Sequence, residues 1–324
     1  MRITFIGGGT DFPEFFNKYE GATLSATINK FVYVLTNEQP AFVKDRFKFS
    51  YRKTESVETV EEFKHPVVRA VLEQLKWQDP LNIATMADLP GESGLGSSSA
   101  FTVALIQNLN ARRGVIVNGA DLAKESIYVE RNLLREPGGW QDQLTSALGG
   151  MRIYLYSGDK FSFSENMLTV DNIKYFSSRM ILVRVPSVRR GLAPARANQS
   201  FIKRNLDSGF LRELSSKTKE VWNDLQTNKT PQNQFKVLQE AIKASWAQKK
   251  TWGQHLDSSY TSQIMDELKL VGAENMKLLG AGGGGFILVA EEPDIIQNIR
   301  KSFDTSLQVE FEMHAEPVTI NHNV

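Results

Sequence analysis

The chain has 324 residues, a formal net charge of +1 and 23% charged residues. This length suffices for two domains with separate hydrophobic cores, and the balanced charge excludes a general attraction to nucleic acid or anionic membranes. The absence of cysteine excludes disulfides, zinc–thiolate sites and thiol nucleophiles. No apolar run approaches the roughly 18 residues of a membrane span and no signal-peptide pattern is present, so we expect a cytoplasmic protein with no membrane partner and no nucleic-acid partner.

The first predicted element is a strand over Arg2–Ile6 that runs into the turn Gly7-Gly8-Gly9-Thr10-Asp11. The G-x-G-x-x-G spacing of a dinucleotide site fails here, because Phe12 occupies the place of the third glycine. An aspartate on a backbone without neighbouring side-chain bulk suits a sugar hydroxyl, whereas a plain Asx-turn explains the same residues equally well. The residues alone leave both interpretations of Asp11 open.

The next predicted elements are two β-rich runs at 24–36 and 42–52, which we expect to be neighbouring antiparallel strands. A helix is predicted to open at His65-Pro66, since proline is tolerated in a first helical turn. His65 has no evident partner for catalysis, so we expect it to be structural or exposed. A strand over Leu81–Ala87 follows.

The glycine–serine loop, Pro90-Gly91-Glu92-Ser93-Gly94-Leu95-Gly96-Ser97-Ser98-Ser99-Ala100, connects that strand to an apolar-rich helical run at 100–111. A helix N-terminus offers unpaired N–H groups and a positive dipole end to an anion, and glycines allow a phosphate to approach the backbone closely. The alternative, an ordinary serine N-cap, needs only one of the three serines. No lysine follows the glycines, so the loop is not a Walker A motif. We therefore predict a phosphate site of another kind, formed by Gly94, Leu95, Gly96, Ser97, Ser98 and Ser99.

The pattern Pro-x-x-x-Gly-Leu-Gly-Ser-Ser-Ser-Ala resembles the second signature of the GHMP kinases, named after galactokinase and the homoserine, mevalonate and phosphomevalonate kinases. The start of the chain, R-I-T-F-I-G-G-G-T-D, resembles the N-terminal signature of the heptose-phosphate kinase branch. The resemblance implies that the glycine–serine loop binds ATP phosphates, that Gly9, Thr10 and Asp11 bind the sugar, and that Arg2 lies near the phosphoryl group. Family members usually carry several residues before that arginine and only Met1 precedes it here, so we expect either a short first strand or an upstream start.

A helix capped by Asp121 is predicted next, with Leu122, Val129 and Leu133 as its core stripe. Glu130 lies off that stripe, and by itself it is an ordinary surface glutamate.

Another helix is predicted to begin in Trp140-Gln141-Asp142-Gln143 and to end at Gly149-Gly150. Asp142 thus lies in a first helical turn, where the dipole favours an anion, although an ordinary N-terminal acidic residue explains the same position. The stretch E-P-G-G-W-Q-D-Q resembles the segment that carries the catalytic aspartate in the heptose-phosphate kinases. The resemblance implies that Asp142 is catalytic, that Gln141 binds substrate, and that Ser98 and Glu130 bind magnesium.

Residues 151–156 and 161–163 are predicted to form a hairpin, and a domain boundary is expected between residues 175 and 176. A strand at 180–185 then leads to an arginine cluster, Arg189, Arg190 and Arg196. Arginine forks match phosphate bidentately, so these side chains are candidates to hold a phosphate on the substrate, with ordinary surface arginines as the equal alternative.

Residues 197–270 are predicted to be helical, with Trp222, Trp246 and Trp252 as packing residues. The run Gly280-Ala281-Gly282-Gly283-Gly284-Gly285 lies between two predicted strands, which is the wrong context for a Rossmann site. It resembles the third GHMP signature, which packs beside the nucleotide loop, and this implies ATP contacts at Gly282 and Gly283. A helix at 294–303 and a strand at 307–313 complete the predicted α+β architecture.

Taken over most of residues 2–290, the resemblance implies a GHMP kinase-like fold with a ribosomal-protein-like α+β domain at 1–175 and a ferredoxin-like α+β domain at 176–324. It implies a kinase that uses ATP and Mg²⁺ to phosphorylate the anomeric hydroxyl of a sugar phosphate, with D-glycero-D-manno-heptose 7-phosphate as the expected substrate. Gly8-Gly9 stand where classical galactokinases carry Glu-His, which argues against galactose. A fucokinase-like or other hexose 1-kinase and a catalytically silent sugar and nucleotide sensor stay open, although the intact Asp142, Glu130 and Ser98 argue against the sensor.

Overall fold

The computed structural model describes residues 1–40, 42–91, 93–186, 191–252 and 259–321. Its strands are β1 Arg2–Ile6, β2 Gly21–Thr27, β3 Val32–Glu38, β4 Phe47–Ser50, β5 Thr54–Val57, β6 Leu81–Ala87, β7 Met151–Ser157, β8 Lys160–Phe163, β9 Met180–Val185, β10 Met276–Leu278, β11 Gly285–Ala290 and β12 Gln308–Val309. Its α-helices are α1 Pro13–Phe16, α2 Pro66–Gln74, α3 Ser97–Arg112, α4 Gly119–Ile127, α5 Gln141–Leu148, α6 Val170–Ser177, α7 Ala193–Arg204, α8 Phe210–Thr227, α9 Pro231–Lys249, α10 Ser259–Leu270 and α11 Pro293–Ser302.

In the part of the chain that the structure describes, the strands form three four-stranded sheets, with the orders β1-β2-β7-β8, β3-β6-β4-β5 and β10-β11-β9-β12. The predicted pairing of 24–36 with 42–52 is wrong. The first run divides between two sheets, as β2 and β3, and β6 lies between β3 and β4. The division has a local cause, since Ile28 bridges Met313 and the N–H of Asn29 donates to the Glu312 carbonyl, which draws the chain out of the first sheet.

Helix α4 begins differently from the prediction. Asn118 is its N-cap, because its side chain accepts the backbone N–H of Asp121 at 3.0 Å, so Asp121 lies inside the first turn. A π-helix at Tyr128–Leu133 follows directly. A π turn holds more residues than an α turn, so it rotates the side chains that come after it. As a result Leu133 is 42% exposed, and Glu130, expected at the surface, is only 5% exposed.

The C-terminal part of the predicted strand 307–313 is also wrong, since only Gln308–Val309 pairs with β9. The helical prediction for 197–270 is confirmed within the described residues, as α7 to α10 with short breaks. His65 caps α2 through its contact with the N–H of Val68, in agreement with a structural role.

The cores of the two halves are continuous. Ile3 and Leu24 from the first sheet belong to the same buried cluster as Leu182 and Phe286 from the third sheet. The predicted boundary between residues 175 and 176 falls within α6, and the division into two domains stays a prediction. Among the described residues, no helix is both long and apolar enough to cross a membrane.

Candidate active site

A cavity of about 250 Å³ lies where β1, the glycine–serine loop, α5 and the segment from α9 to β10 meet. Eight of the site residues predicted from the sequence line it together: Arg2, Gly9, Asp11, Ser98, Ser99, Glu130, Gln141 and Asp142. They come from distant parts of the chain, so their convergence is a property of the fold.

The glycine–serine loop ends at a helix without a side-chain cap. Gly96 is the N-cap of α3 with φ of +71°, and as a glycine it has no side chain to accept the first N–H groups of the helix. The alternative of an ordinary serine N-cap is therefore wrong. The exposed backbone donors at this N-terminus fit the phosphates of a nucleotide.

Three glycines are required by close approaches, one in the glycine–serine loop and two in the second glycine run. A Cβ on Gly94, where φ is +76°, would lie 2.8 Å from the Leu279 carbonyl oxygen. A Cβ on Gly280 would lie 2.4 Å from the Gly94 Cα, and one on Gly285 would lie 2.6 Å from the Ser93 carbonyl oxygen. The second glycine run therefore packs backbone to backbone against the glycine–serine loop. This contact matches the expectation that the run lies beside that loop.

Gly282 and Gly283, predicted to contact ATP, lie in the turn between β10 and β11 with φ of +101° and +79°. The described lining of the cavity includes Gly280 and Ala281 but neither of these two glycines. Their contact with nucleotide stays a prediction.

Arg2 and Asp142 form a charge pair beside the loop. The Arg2 Nε and Nη2 atoms donate to Asp142 Oδ1 at 2.8 and 2.7 Å. Arg2 also donates through Nη1 to the Gly94 carbonyl at 2.7 Å, and its backbone N–H donates to the Leu95 carbonyl. Both bonds from Arg2 end on Oδ1, and among the described residues no bond reaches Oδ2 of this 27% exposed carboxylate, which leaves that oxygen for a hydroxyl in the cavity.

Asp11 lies in the same cavity, held by backbone donors. Its Oδ1 accepts the N–H of Gly9 at 2.8 Å, and its Oδ2 accepts the N–H of Gln141 at 3.4 Å. Burial raises the pKa of Asp11 to about 6, against the lowering effect of the Gly9 hydrogen bond. A Cβ on Gly139 would lie 1.7 Å from Asp11 Oδ2, so glycine is required there.

The other predicted sugar-binding residues have structural partners. The hydroxyl of Thr10 donates to the carbonyls of Gly7 and Ala22, so it shapes the turn that presents Asp11. The Gln141 side-chain oxygen accepts the Thr4 hydroxyl at 2.8 Å. This bond fixes Gln141 at the cavity wall. Its amide nitrogen lies beside Gly8, 3.7 Å from where a Cβ on that glycine would be.

Glu130 accepts hydrogen bonds from the side chains of Ser99 and Gln143. The Ser99 hydroxyl donates to Glu130 Oε2 at 2.9 Å, and Gln143 donates to the same oxygen at 2.5 Å. Ser98, the serine predicted to share a metal with Glu130, is exposed and lines the same cavity. Burial raises the pKa of Glu130 to about 7. Its Oε1 is buried, and no hydrogen-bond partner for it is present among the described residues.

A magnesium ion fits the part of the cavity at Glu130. The buried carboxylate oxygen of Glu130 and the hydroxyls of Ser98 and Ser99 are the hard oxygen ligands that magnesium prefers. The described residues contain no group of three or more His, Cys, Asp or Glu side chains that would form a metal site from protein ligands alone. Magnesium in phosphotransferases is bound by few protein ligands together with substrate phosphates. The residues present are therefore compatible with Mg²⁺ delivered with a nucleotide.

Of the predicted arginine cluster, Arg196 alone lies within the described residues. Arg189 and Arg190 lie outside the described residues. Arg196 is exposed on α7, whose residues Ala195 and Asn198 line the cavity. A role of the three arginines in holding a substrate phosphate stays a prediction.

Lys249, Lys277 and Trp252 are among the lining residues that sequence reasoning did not place at the site. Trp252 was expected to be a packing residue, and it stacks on Phe201 with ring centroids 5.3 Å apart. Its ring also covers the turn at residues 7–11, the predicted sugar-binding turn (hereafter the sugar turn), since a Cβ on Gly9 would lie 2.2 Å from the ring. Neither lysine stands in a motif, and each reaches the cavity only through the packing of α9 and β10 on β1.

Comparison with known proteins identifies what this chain resembles. Residues 61–150 match the GHMP kinases N terminal domain. The chain is 25% identical to the D-glycero-alpha-D-manno-heptose 7-phosphate kinase of Campylobacter jejuni subsp. jejuni serotype O:2, over 93% of this chain and 91% of that protein. It is 24% identical to the L-fucokinase/L-fucose-1-P guanylyltransferase of Bacteroides fragilis, over 71% of this chain and 24% of that protein.

The fold has a solved counterpart in the crystal structure of a D-glycero-D-manno-heptose 1-phosphate kinase from Bacteriodes thetaiotaomicron. The TM-score is 0.72 at 19% identity, covering 99% of this chain and 98% of that one. The resemblance to the GHMP kinases and the predicted fold class are confirmed.

Proposed function

We propose that this protein is an ATP-dependent sugar kinase that transfers the γ-phosphoryl group to the anomeric hydroxyl of a sugar phosphate. The expected reaction converts D-glycero-D-manno-heptose 7-phosphate into the 1,7-bisphosphate. The observation that carries the proposal is the Arg2–Asp142 pair, which lies between an uncapped helix N-terminus and the sugar turn at Asp11. The similarity to a heptose 7-phosphate kinase along nearly the whole chain supports the choice of substrate.

Phosphoryl transfer depends mainly on positioning and on the stabilisation of charge. The free Asp142 oxygen accepts the proton of the attacking hydroxyl, and Arg2 holds the carboxylate in place through its two bonds to the other oxygen. Because Arg2 also binds the Gly94 carbonyl, the base and the glycine–serine loop keep a fixed relation. Gly94 to Ser99 bind the phosphates of ATP through backbone N–H groups.

A magnesium ion, when bound, would neutralise charge on the phosphates of ATP. Glu130 would hold it with Ser98, and the hydrogen bond from Ser99 to Glu130 makes Ser99 a further candidate ligand. Asp11 orients the sugar by accepting hydrogen bonds from its hydroxyl groups. Gly9, Thr10 and Gln141 form the wall of the sugar site around it. Arg189, Arg190 and Arg196 are proposed to hold the phosphate already on the substrate.

The second candidate is a fucokinase-like hexose 1-kinase, which the similarity to the fucokinase-containing protein favours. It uses the same mechanism on an unphosphorylated sugar. A catalytically silent sensor is the remaining alternative, and it differs by binding both ligands without turnover.

The test is ADP release from Mg-ATP in the presence of free and phosphorylated sugars, including heptose 7-phosphate and fucose. Turnover only with the 7-phosphate supports the proposal, and turnover with a free hexose supports the second candidate. ATP binding without ADP release from any sugar of the panel would contradict the assignment as a kinase and favour the sensor. The Asp142→Asn variant serves as the control for background ATP hydrolysis.

A further inference from the structure

The cavity contains two lysines to which the proposed mechanism gives no role. Lys249 is the last residue of α9, and its ammonium group donates to the carbonyls of Gly280 at 2.5 Å and Leu278 at 3.5 Å. Lys277 on β10 donates to the Phe5 carbonyl at 3.0 Å and to the Ser245 hydroxyl at 2.7 Å. All of these acceptors are uncharged.

Within the described residues, neither ammonium group has a counter-ion. Among the described residues, no carboxylate oxygen lies within 4.0 Å of Lys249 or Lys277, whereas Arg2 in the same cavity is paired with Asp142. Burial, followed by the charge of Arg2, lowers the pKa of Lys249 to about 8. Burial, Lys249 and Arg2 together lower the pKa of Lys277 well below its ordinary value. Cations removed from water without a partner carry a large desolvation cost, which a bound anion would offset.

The position of Lys249 indicates which part of a ligand it meets. The carbonyl it binds belongs to Gly280, whose backbone lies against Gly94, and the Gly94 carbonyl is bound by Arg2. Three residues beyond Lys249, Trp252 covers the sugar turn at Gly9. Lys249 therefore lies between the glycine–serine loop and the proposed sugar site. With two of its three N–H groups on carbonyls, one donor is available to the cavity.

We propose that Lys249 is an anion-binding residue of this cavity and that its ammonium group contacts a phosphoryl group of the bound substrates. The inference rests on the proposed function for the identity of the ligand. The phosphoryl group has two possible sources, the group in transfer from ATP and the phosphate carried by the sugar.

The first test is thermal stabilisation by inorganic phosphate, compared with sodium chloride at equal ionic strength. Lys249→Gln keeps a donor for the Gly280 carbonyl and removes the charge, and Lys250→Gln changes the exposed neighbour as the matched control. We expect phosphate to stabilise the wild type and Lys250→Gln, and to stabilise Lys249→Gln far less, with Lys249→Arg restoring the effect. Equal stabilisation of both Gln variants would overturn the proposal.

The second test uses the wild-type protein, so it does not depend on how well a variant folds. Reductive methylation with formaldehyde, followed by mass spectrometry, reports the reactivity of Lys249 and Lys250 separately. Phosphate is expected to protect Lys249 and to leave Lys250 unchanged. Equal labelling of Lys249 with and without phosphate, or no labelling in either state, would refute a contact between its ammonium group and a cavity anion.

The kinetics of Lys249→Gln distinguish the two sources. If Lys249 contacts the group in transfer, kcat falls about 10–100-fold with every accepted sugar, the loss expected for one hydrogen bond to a charged group. If it contacts the sugar phosphate, KM rises by a similar factor for the phosphorylated sugar alone. Wild-type kcat and KM in this variant would contradict the proposal. An inactive wild type that still binds phosphate through Lys249 would contradict the kinase assignment and leave the anion site supported.

Discussion

Replacing Asp142 by asparagine separates its proposed role as a base from its role in the ion pair. Asparagine keeps the shape and the accepting oxygen but removes the charge that compensates Arg2, whose side chain is 5% exposed. Breaking a fully buried pair costs about 3–5 kcal/mol, and the 27% exposure of Asp142 reduces this to about 2 kcal/mol. At about 2–4 °C per kcal/mol, Tm is expected to fall by about 4–8 °C.

The effect on turnover is expected to be much larger. A positioned general base contributes about 10²–10⁴-fold, so kcat of Asp142→Asn should fall by at least about tenfold. The affinity for ATP should be kept, because the backbone of the glycine–serine loop binds the phosphates. Asp171→Asn is the matched control, since Asp171 is an exposed aspartate in the first turn of α6. The assays are coupled ADP release, nucleotide binding by calorimetry and thermal unfolding, and a lowered Tm with unchanged kcat would refute the role as a base.

Three further predictions concern the loop and the corner at Glu130. Gly94→Ala should lower both Tm and ATP affinity, because its Cβ would lie 2.8 Å from a backbone oxygen, whereas Gly91→Ala meets no atom within 4 Å and should change neither. Burial raises the pKa of Glu130 from 4.5 to about 7, so between these pH values the folded state keeps a proton that the unfolded state releases. The stability of the wild type therefore decreases over this range, and its Tm should fall relative to that of Glu130→Gln as pH rises from about 4.5 to 7. A pH-independent difference in Tm would show that the carboxyl group is not held in its neutral form. Ser99→Ala removes a hydrogen-bond donor to Glu130, whereas Gln143→Asn keeps an amide donor. The Mg²⁺ concentration needed for half-maximal activity should therefore rise more in Ser99→Ala than in Gln143→Asn. The reverse order would contradict the role of Ser99.

The sequence was most informative where function depends on neighbouring residues. The strand–turn–helix unit around the glycine–serine loop and the strand–turn–strand unit around Gly280 were both predicted, since glycine runs between periodic segments are local signals. The first turn of α5, with Asp142 in it, was predicted for the same reason. The convergence of Arg2 and Asp142 followed only from the family resemblance, because no local pattern joins residues so far apart.

Features that depend on rotation or on distant packing were missed. Successive helical residues point about 100° apart, so which serine of α3 faces Glu130 depends on how that helix is rotated in the core. The π turn that buries Glu130 has no signal in an apolar periodicity. Lys249 was not identified, because α9 delivers it to the cavity from a stretch that reads as an ordinary charged helix end.

The contact between Gly94 and Gly280 also constrains how this gene can recombine. Any crossover between these two codons assembles the junction from two parents, and the new chain keeps the close approach only when both parents encode glycine. A bulkier residue from either parent would push the glycine–serine loop out of place, even though each half carries its own motif intact. Chimaeras that exchange the second half for that of a relative are therefore expected to bind nucleotide only when positions 94 and 280 are both glycine.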